Sequence, residues 1–468
     1  MSADGVVTAR LPALIAAPPP APAPGRLWLT NARLFDGTGA AARDGAAVLI
    51  AGGEIARVGD AGDAVPEGAR VLDVGGRTLM PGLIDAHAHV YPHLPAPAPG
   101  AEPLWAGASA HFLAAALRDT LRMGITTLRD VGSYDDLVFE ARQAMRYGAF
   151  RGPRLLTCGR IISATAPGGR WFEGMYREAD GADDVRRAVR EQLRRGADFV
   201  KVMTTGARTV ELEDPDPAQM TRDEIATVVD EAHRMGYRVA AHAEGIDGTQ
   251  IAIETGIDTI EHGMYLNQRP ELLERMAATG QVLVPTLSCF YGVAGDAAPD
   301  HDGAAAPGGE RPPTWAHALV ELALHNLEQA DRTLRAARAA GVTIAAGHDW
   351  APISDLGVEI VRMVHHGLDA REALTAATST AARALGLGDA VGTIAPGRLA
   401  DVLVVDGDPL ARPALLRDPD RIWLVLQLGA PVAGTALERD PAAAQTTGGG
   451  VPAALAASSG SQSHTAHA

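Results

Sequence analysis

The chain has 468 residues, of which 47% are apolar and 21% charged, a globular balance that excludes disorder throughout and allows a sizeable buried core. With 41 basic against 57 acidic side chains the formal charge is −16, which argues against nucleic acid as a partner. Apolar runs fall short of the ~18 residues a membrane helix needs. Two cysteines, Cys158 and Cys289, cannot build a disulfide framework, so the expectation is a soluble, cytoplasmic protein.

Residues 1–26 read as a disordered leader, because Asp4 and the single early Arg10 spoil Leu11 to Ala17 as a signal peptide. Residues 27–79 hold short alternating runs, Ala47 to Ile50 and Ile55 to Gly59, around the turn Ala51-Gly52-Gly53, and predict β-hairpins. Over residues 80–391 apolar runs ending in Gly, Asp, His or Thr alternate with longer segments of helical period. Eight strands are predicted: Thr78 to His89, Ile125 to Val131, Arg154 to Ile162, Phe199 to Thr205, Arg238 to Ala243, Thr259 to Gly263, Val282 to Leu287 and Val342 to His348. This alternation predicts an α/β fold, a (β/α)8 TIM-like barrel, with a doubly wound sheet as the alternative. Thr221 and Glu224 form a capping box for a helix that Gly236 closes. The Ala/Gly/Pro/Asp-rich insertion at 295–313 predicts a loop over the surface or the mouth of a site. Residues 392–439 return to short β runs, Asp401 to Val405 and Ile422 to Leu428. Neither end segment holds enough strands for a core, so the two are expected to join in one small β-sandwich domain formed by both chain ends. Residues 440–468 read as a disordered tail.

Lysine usage is the most informative count. Of the 41 basic residues all are arginine except Lys201. It sits in the apolar run Phe199-Val200-Lys201-Val202-Met203, where an unpaired ammonium loses hydration and tends to be neutral. A neutral amine in a dry site captures CO2 as a carbamate whose two oxygens can bridge two metal ions, a reaction closed to arginine. A snorkelling or carboxylate-paired lysine is the competing reading. In Asp85-Ala86-His87-Ala88-His89, residues two apart share a strand face, so His87 and His89 can hold one cation or be hydrogen-bonded histidines at a strand end. His242 and His262 close two consecutive predicted strands, and Asp349 closes the last. In a barrel the C-terminal strand ends form one ring, on which these six groups converge.

Pro81-Gly82-Leu83-Ile84-Asp85-Ala86-His87-Ala88-His89, the Lys201 strand, His242, Glu261-His262-Gly263, Asp349 and Gly392-Thr393-Ile394-Ala395-Pro396-Gly397-Arg398-Leu399-Ala400-Asp401 resemble the metal-dependent amidohydrolase superfamily, over roughly Leu27 to Leu437. The imidazolonepropionase-like, Xaa-Pro dipeptidase-like branch is the most similar. The resemblance implies a binuclear site, with His87, His89, Lys201 and Asp349 on one divalent ion, Lys201, His242 and His262 on the other, and carboxylated Lys201 between them. Imidazole and carboxylate ligands suit Zn2+, with Mn2+, Co2+ or Fe2+ as alternatives. A water bridging ions ~3.5–4 Å apart is acidified toward a pKa of ~7. Asp349 is then the expected general base, and Lys201 the second catalytic residue.

The chain also departs from its relatives. Arg170 stands where many carry histidine, as a candidate fork for a substrate carboxylate or, equally, a surface arginine. Glu244 is expected to pair with Arg170 or receive a cationic substrate group, and Tyr291 and Tyr265 to contact substrate as wall residues rather than catalysts. His348 is expected to point away from Asp349 into the core. His365 and His366 fit a helix C-terminus without a metal, and His464 and His467 lie in the tail. The leading reading is a binuclear hydrolase cleaving an amide bond in a small molecule, a dipeptide or N-acyl amino acid. The alternative is a cyclic-amide or imidazolone ring hydrolase or a deaminase, which Lys201 disfavours. The third is a non-catalytic assembly protein of the same fold. The expected partner is a small-molecule substrate, without nucleic acid or membrane, and a homo-oligomer is compatible with the chain.

Overall fold

The computed structural model describes residues 25–90, 106–207, 210, 213–295, 298, 317–350 and 352–439. The expected leader, apart from its last two residues, the body of the 295–313 insertion and the tail lie outside the described residues. Five strands come first: β1 (Leu27–Leu34), β2 (Arg43–Ala51), β3 (Glu54–Asp60), β4 (Arg70–Asp73) and β5 (Thr78–Pro81). Ten follow: β6 (Leu83–Ala88), β7 (Ile125–Asp130), β8 (Arg154–Thr157), β9 (Ile161–Ser163), β10 (Tyr176–Glu178), β11 (Val200–Met203), β12 (Val239–Ala243), β13 (Thr259–His262), β14 (Val282–Val284) and β15 (Thr343–Ile344). The chain closes with β16 (Val402–Val405), β17 (Ile422–Gln427) and β18 (Ala430–Ala433).

The first five strands and the last three meet in one eight-stranded sheet, ordered β18-β17-β16-β5-β1-β2-β3 with β4 on β1. The seam is the antiparallel pair β5–β16, where Met80 faces Leu403 and Leu79 faces Val404. Leu29, Val48, Ile55, Leu79, Val404 and Leu424 share one buried cluster on this sheet. The two chain ends therefore meet in one hydrogen-bonded sheet.

Between the ends, the named strands of the described residues all pair in parallel. β6-β7-β8 form one sheet and β10-β9-β11-β12-β13-β14-β15 another. Backbone bonds link the two sheets: Asp198 N–H, just before β11, to Thr157 O (2.8 Å), and, between the segment after β15 and β6, Ala86 N–H to Ala346 O (2.9 Å) and Asp349 N–H to His87 O (2.9 Å). The predicted strand Arg154 to Ile162 is two strands, because the chain turns at Gly159 in the left-handed region (φ +70°) with Phe139 and Gln192 packed against its Cα. The predicted strand at Val282 stops at Val284, ahead of Thr286 at φ +48°. The last predicted strand is reduced to Thr343–Ile344.

Helices cover the strands. In Ala182–Arg195 the buried residues Val185, Ala188, Val189, Gln192 and Leu193 make the apolar stripe of a 3.6-residue period, and Gly196 ends the helix in the left-handed conformation. That stripe packs on Val200 and Val202, so strand alternation turns Lys201 and Met203 to the opposite face. The Thr221 capping box is present, with Glu224 N–H donating to Thr221 Oγ1 (3.3 Å) and Thr221 N–H to Glu224 Oε2 (2.8 Å). A buried ion pair, Arg154 to Asp401 (2.7 Å), ties β8 to the chain-end sheet. Both cysteines are free thiols, and no helix among the described residues is long and apolar enough to cross a membrane.

Candidate metal centre

The C-terminal ends of β6, β11, β12 and β13 and the segment after β15 open into one cavity of about 370 Å³. His87, His89, Lys201, His242, His262 and Asp349, the six residues expected as ligands, all line it. Lys201 is only 2% exposed. Burial pushes its pKa down and Arg129 adds to this, while Glu261 and Asp349 pull the other way.

Each histidine of the His87/His89 pair spends one ring nitrogen on the protein. His87 Nδ1 is 2.7 Å from Glu261 Oε2, and His89 Nδ1 is 2.8 Å from Gly132 O. Their Nε2 atoms both turn to Asp349 Oδ1, at 3.4 and 3.5 Å. Metal-ligating histidines are commonly oriented in this way, one nitrogen fixed by an outer acceptor and the other presented to the cation. Glu261 is itself held by Arg129 Nη2 (2.8 Å) and Thr259 Oγ1 (2.5 Å). Burial alone would raise its pKa, but Arg129, His87 and Lys201 outweigh burial and keep it well below the usual carboxylate range. For Asp349, likewise, the surrounding histidines His87, His89 and His262 overcome burial. Burial pushes His89 down to about 4.

Backbone strain collects at the same place. His262 (φ +68°), Thr286 (φ +48°) and Asp349 (φ +49°) all occupy the left-handed region, which is exceptional for a β-branched threonine. Strand alternation would send consecutive Glu261 and His262 to opposite faces. The turn at His262 lets Glu261 support His87 while His262 lines the cavity, with Thr286 Oγ1 fixing His262 Nδ1 at 2.6 Å. Such conformations persist only where surrounding contacts impose them, and they cluster at functional sites.

Among the described residues, two three-residue groups emerge whose ligand atoms lie within 4.8 Å of one another: His87, His89 and Asp349, and His242, Glu244 and His262. The groups adjoin, with the His87 and His262 rings 5.3 Å apart and His262 Nδ1 3.9 Å from Asp349 Oδ2. Imidazole with carboxylate is a donor set suited to zinc and its divalent neighbours.

The expected substrate contacts fare differently. Arg170 is exposed on the short helix Gly168–Trp171 and is not among the described lining residues, so its pairing with Glu244 does not form. Tyr291 is buried and also off the cavity, since its hydroxyl bonds His366 Nε2 (2.9 Å) and its ring lies under Arg362. Glu244 does line the cavity, 3.3 Å from His242 Nε2. His348 is buried and absent from the lining, as alternation implies. His365 ends the helix Leu356–His365, but His366 is more than a capping residue, because Asp331 holds its Nδ1 at 2.9 Å. Sequence reasoning gave no role to Glu261 or Arg129, although Glu261 adjoins His262. It also missed the apolar wall of Phe172, Met175, Tyr176 and Trp350.

Comparison with known proteins adds three findings. The amidohydrolase family model matches residues 78–432. An ochratoxinase of Aspergillus niger is 30% identical over 430 residues, covering 85% of this chain and 84% of the relative, and an imidazolonepropionase of Symbiobacterium thermophilum is 25% identical over 426 residues, covering 81% and 85%. Among solved structures, a Xaa-Pro dipeptidase with methionine bound in its active site superposes with a TM-score of 0.75 at 27% identity, covering 87% of this chain and 99% of that one.

Proposed function

The chain belongs to the amidohydrolase family and is a hydrolase acting on carbon–nitrogen bonds, and from that premise we propose that it cleaves the amide bond of a small molecule, a dipeptide or N-acyl amino acid, at a binuclear metal centre. The observation that carries the reading is the meeting of two imidazole–carboxylate groups in one cavity, with the chain's single lysine buried in the same wall. The scaffold in this reading is a closed (β/α)8 barrel over 80–391, supported by the bonds between the two sheets, Asp198 to Thr157 and Ala86 to Ala346. Residues 27–79 and 392–439 form its companion domain.

His87, His89 and Asp349 would hold one ion, and His242 and His262 the other, with Lys201 as its carbamate spanning both. Divalent cations bound there supply Lewis acidity toward the scissile carbonyl and a water acidic enough to ionise near neutral pH. The protein's own groups do the rest. Asp349 takes the proton of the attacking water on its carboxylate and passes it to the leaving nitrogen. Glu261 and Gly132 keep the His87 and His89 rings from rotating, so the reacting atoms meet in a fixed geometry. Phe172, Met175, Tyr176 and Trp350 exclude water and receive the apolar part of the substrate.

The test is metal analysis of the purified protein together with a panel of Xaa-Pro, Xaa-Arg, N-acyl amino acid and lactam compounds assayed with Zn2+, Mn2+ and Co2+. About two ions per chain and turnover of an open-chain amide support the reading. About one ion with turnover of a cyclic amide favours the ring-opening alternative, to which the imidazolonepropionase relative points. No bound metal and no turnover refute both.

A further inference from the structure

We propose that Glu244 is a metal ligand, and that His242, Glu244 and His262 hold the second divalent ion without help from Lys201. The proposal rests on reading the cavity as a metal centre, and it changes which residues do the holding. Ligand atoms of the three residues all lie within 4.8 Å of one another, and all three side chains are buried. Glu244 Oε1 stands 3.3 Å from His242 Nε2, and the His242 and His262 rings are 4.5 Å apart, edge to face. The set is thus compact before any ion arrives.

The fold places Glu244 there deliberately. It follows His242 by two residues, one step past the end of β12 at Ala243, and both side chains line the cavity. Its N–H donates to Thr205 Oγ1 at 3.1 Å. The next residue, Gly245, is pressed so closely on the carbonyls of Pro215 and Asp216 that no side chain fits, which pins the strand end from the other side. The carboxylate faces His242.

The chemistry follows from comparing the two groups. His87, His89 and Asp349 offer two imidazoles and one carboxylate, and so do His242, His262 and Glu244. Two histidines with one carboxylate are by themselves a sufficient protein ligand set for a catalytic zinc or a non-haem iron ion. Each half of the centre is then complete without the lysine, and Lys201 spans two ions that are already held. Occupancy becomes independent of dissolved CO2.

The experiment strips the full-length protein with a chelator, then titrates Zn2+ into wild type, Glu244→Gln, Lys201→Met and the double variant, reading stoichiometry by elemental analysis and thermal unfolding with and without metal. Wild type and Lys201→Met take two ions per chain. Glu244→Gln takes one tightly and the second about 100-fold more weakly or worse, since even outer-shell losses cost roughly 10–100-fold. Its metal-free form unfolds with wild type, which shows that the loss is of a ligand and not of the fold. Glu244→Gln binding both ions as wild type does, or Lys201→Met losing the second ion while Glu244→Gln keeps it, overturns the proposal and leaves the metal centre standing. A wild-type protein that binds no ion overturns the metal centre itself.

Discussion

Replacing Glu261 by glutamine tests the support beneath the metal-facing histidines. Glu261 is fully buried and accepts three hydrogen bonds, from His87 Nδ1 (2.7 Å), Arg129 Nη2 (2.8 Å) and Thr259 Oγ1 (2.5 Å). Arg129 is equally enclosed, and its remaining donors go to Ala86 O and Thr259 Oγ1. Neutralising Glu261 leaves a guanidinium in the interior without its counter-charge, a loss of about 3–5 kcal/mol. At roughly 1 °C per kcal/mol for a chain of this size, the metal-free protein should unfold about 3–5 °C lower. Arg129→Met should cost a similar amount, by stranding Glu261. The double variant buries neither charge, so its loss should be clearly smaller than the sum of the two. Freed of its anionic acceptor, His87 should also bind zinc about 10–100-fold more weakly in Glu261→Gln, although no ligand has been removed. Thermal unfolding of the four chelated proteins, with a zinc titration of each, reads both quantities. Additive small losses with unchanged zinc affinity would refute the argument that this pair orients His87.

Asp349→Asn should lower kcat by about 10²–10⁴-fold, the usual contribution of a positioned general base, with a smaller effect on KM. Steady-state kinetics on the best substrate of the panel decides it, and near-normal kcat would remove Asp349 from that role. Lys201→Arg keeps charge but cannot form a carbamate, so it should lose at least about a hundredfold in kcat/KM; full turnover would show that no carbamate is needed. Glu359 is buried where Leu287 N–H, Ser288 N–H and Ser288 Oγ donate to it, yet burial outweighs these bonds and raises its pKa from 4.5 to about 7. The folded state therefore holds a proton that the unfolded chain gives up near 4.5. Stability falls as pH climbs from about 4.5 to 7, by up to about 3 kcal/mol, and stays at that lower level above. Thermal midpoints of the chelated protein at pH 5.5 and 8 should differ less in Glu359→Gln than in wild type, and an identical difference in both would exclude Glu359 as the source.

Much of the site was legible because its residues obey short-range rules. His87 and His89 share a face by the two-residue period of a strand, and Lys201 is turned inward by the apolar residues on either side of it. The Thr221 capping box reads directly from its spacing. What stayed hidden depends on contacts between distant segments. The partnership of Glu261 with Arg129 spans two strands far apart in sequence, and nothing local distinguishes Arg129 from the other arginines. The left-handed turns at His262, Thr286 and Asp349 are imposed by tertiary packing, against the preferences of those residue types. Arg170 and Tyr291 lie close in sequence to lining residues, but a single helical step sends one to solvent and the other to His366. The continuous chain-end sheet rests on the β5–β16 register, which hydropathy patterns do not encode.

That register also has a consequence for biosynthesis. β5 leads through Gly82 directly into the strand bearing His87, and Gly82 N–H is bonded to Asp401 O (2.9 Å). A ribosome thus releases the histidine strand and its anchor long before the anchor's neighbour, Val402–Val405, has been translated. Until then β5 has an open flank, exposed to chaperones and to edge-to-edge association with other nascent chains. A stop codon shortly before Gly392 would preserve every cavity residue and still deprive the first histidines of their mooring. Harmful truncations of this enzyme need not touch its reacting groups at all.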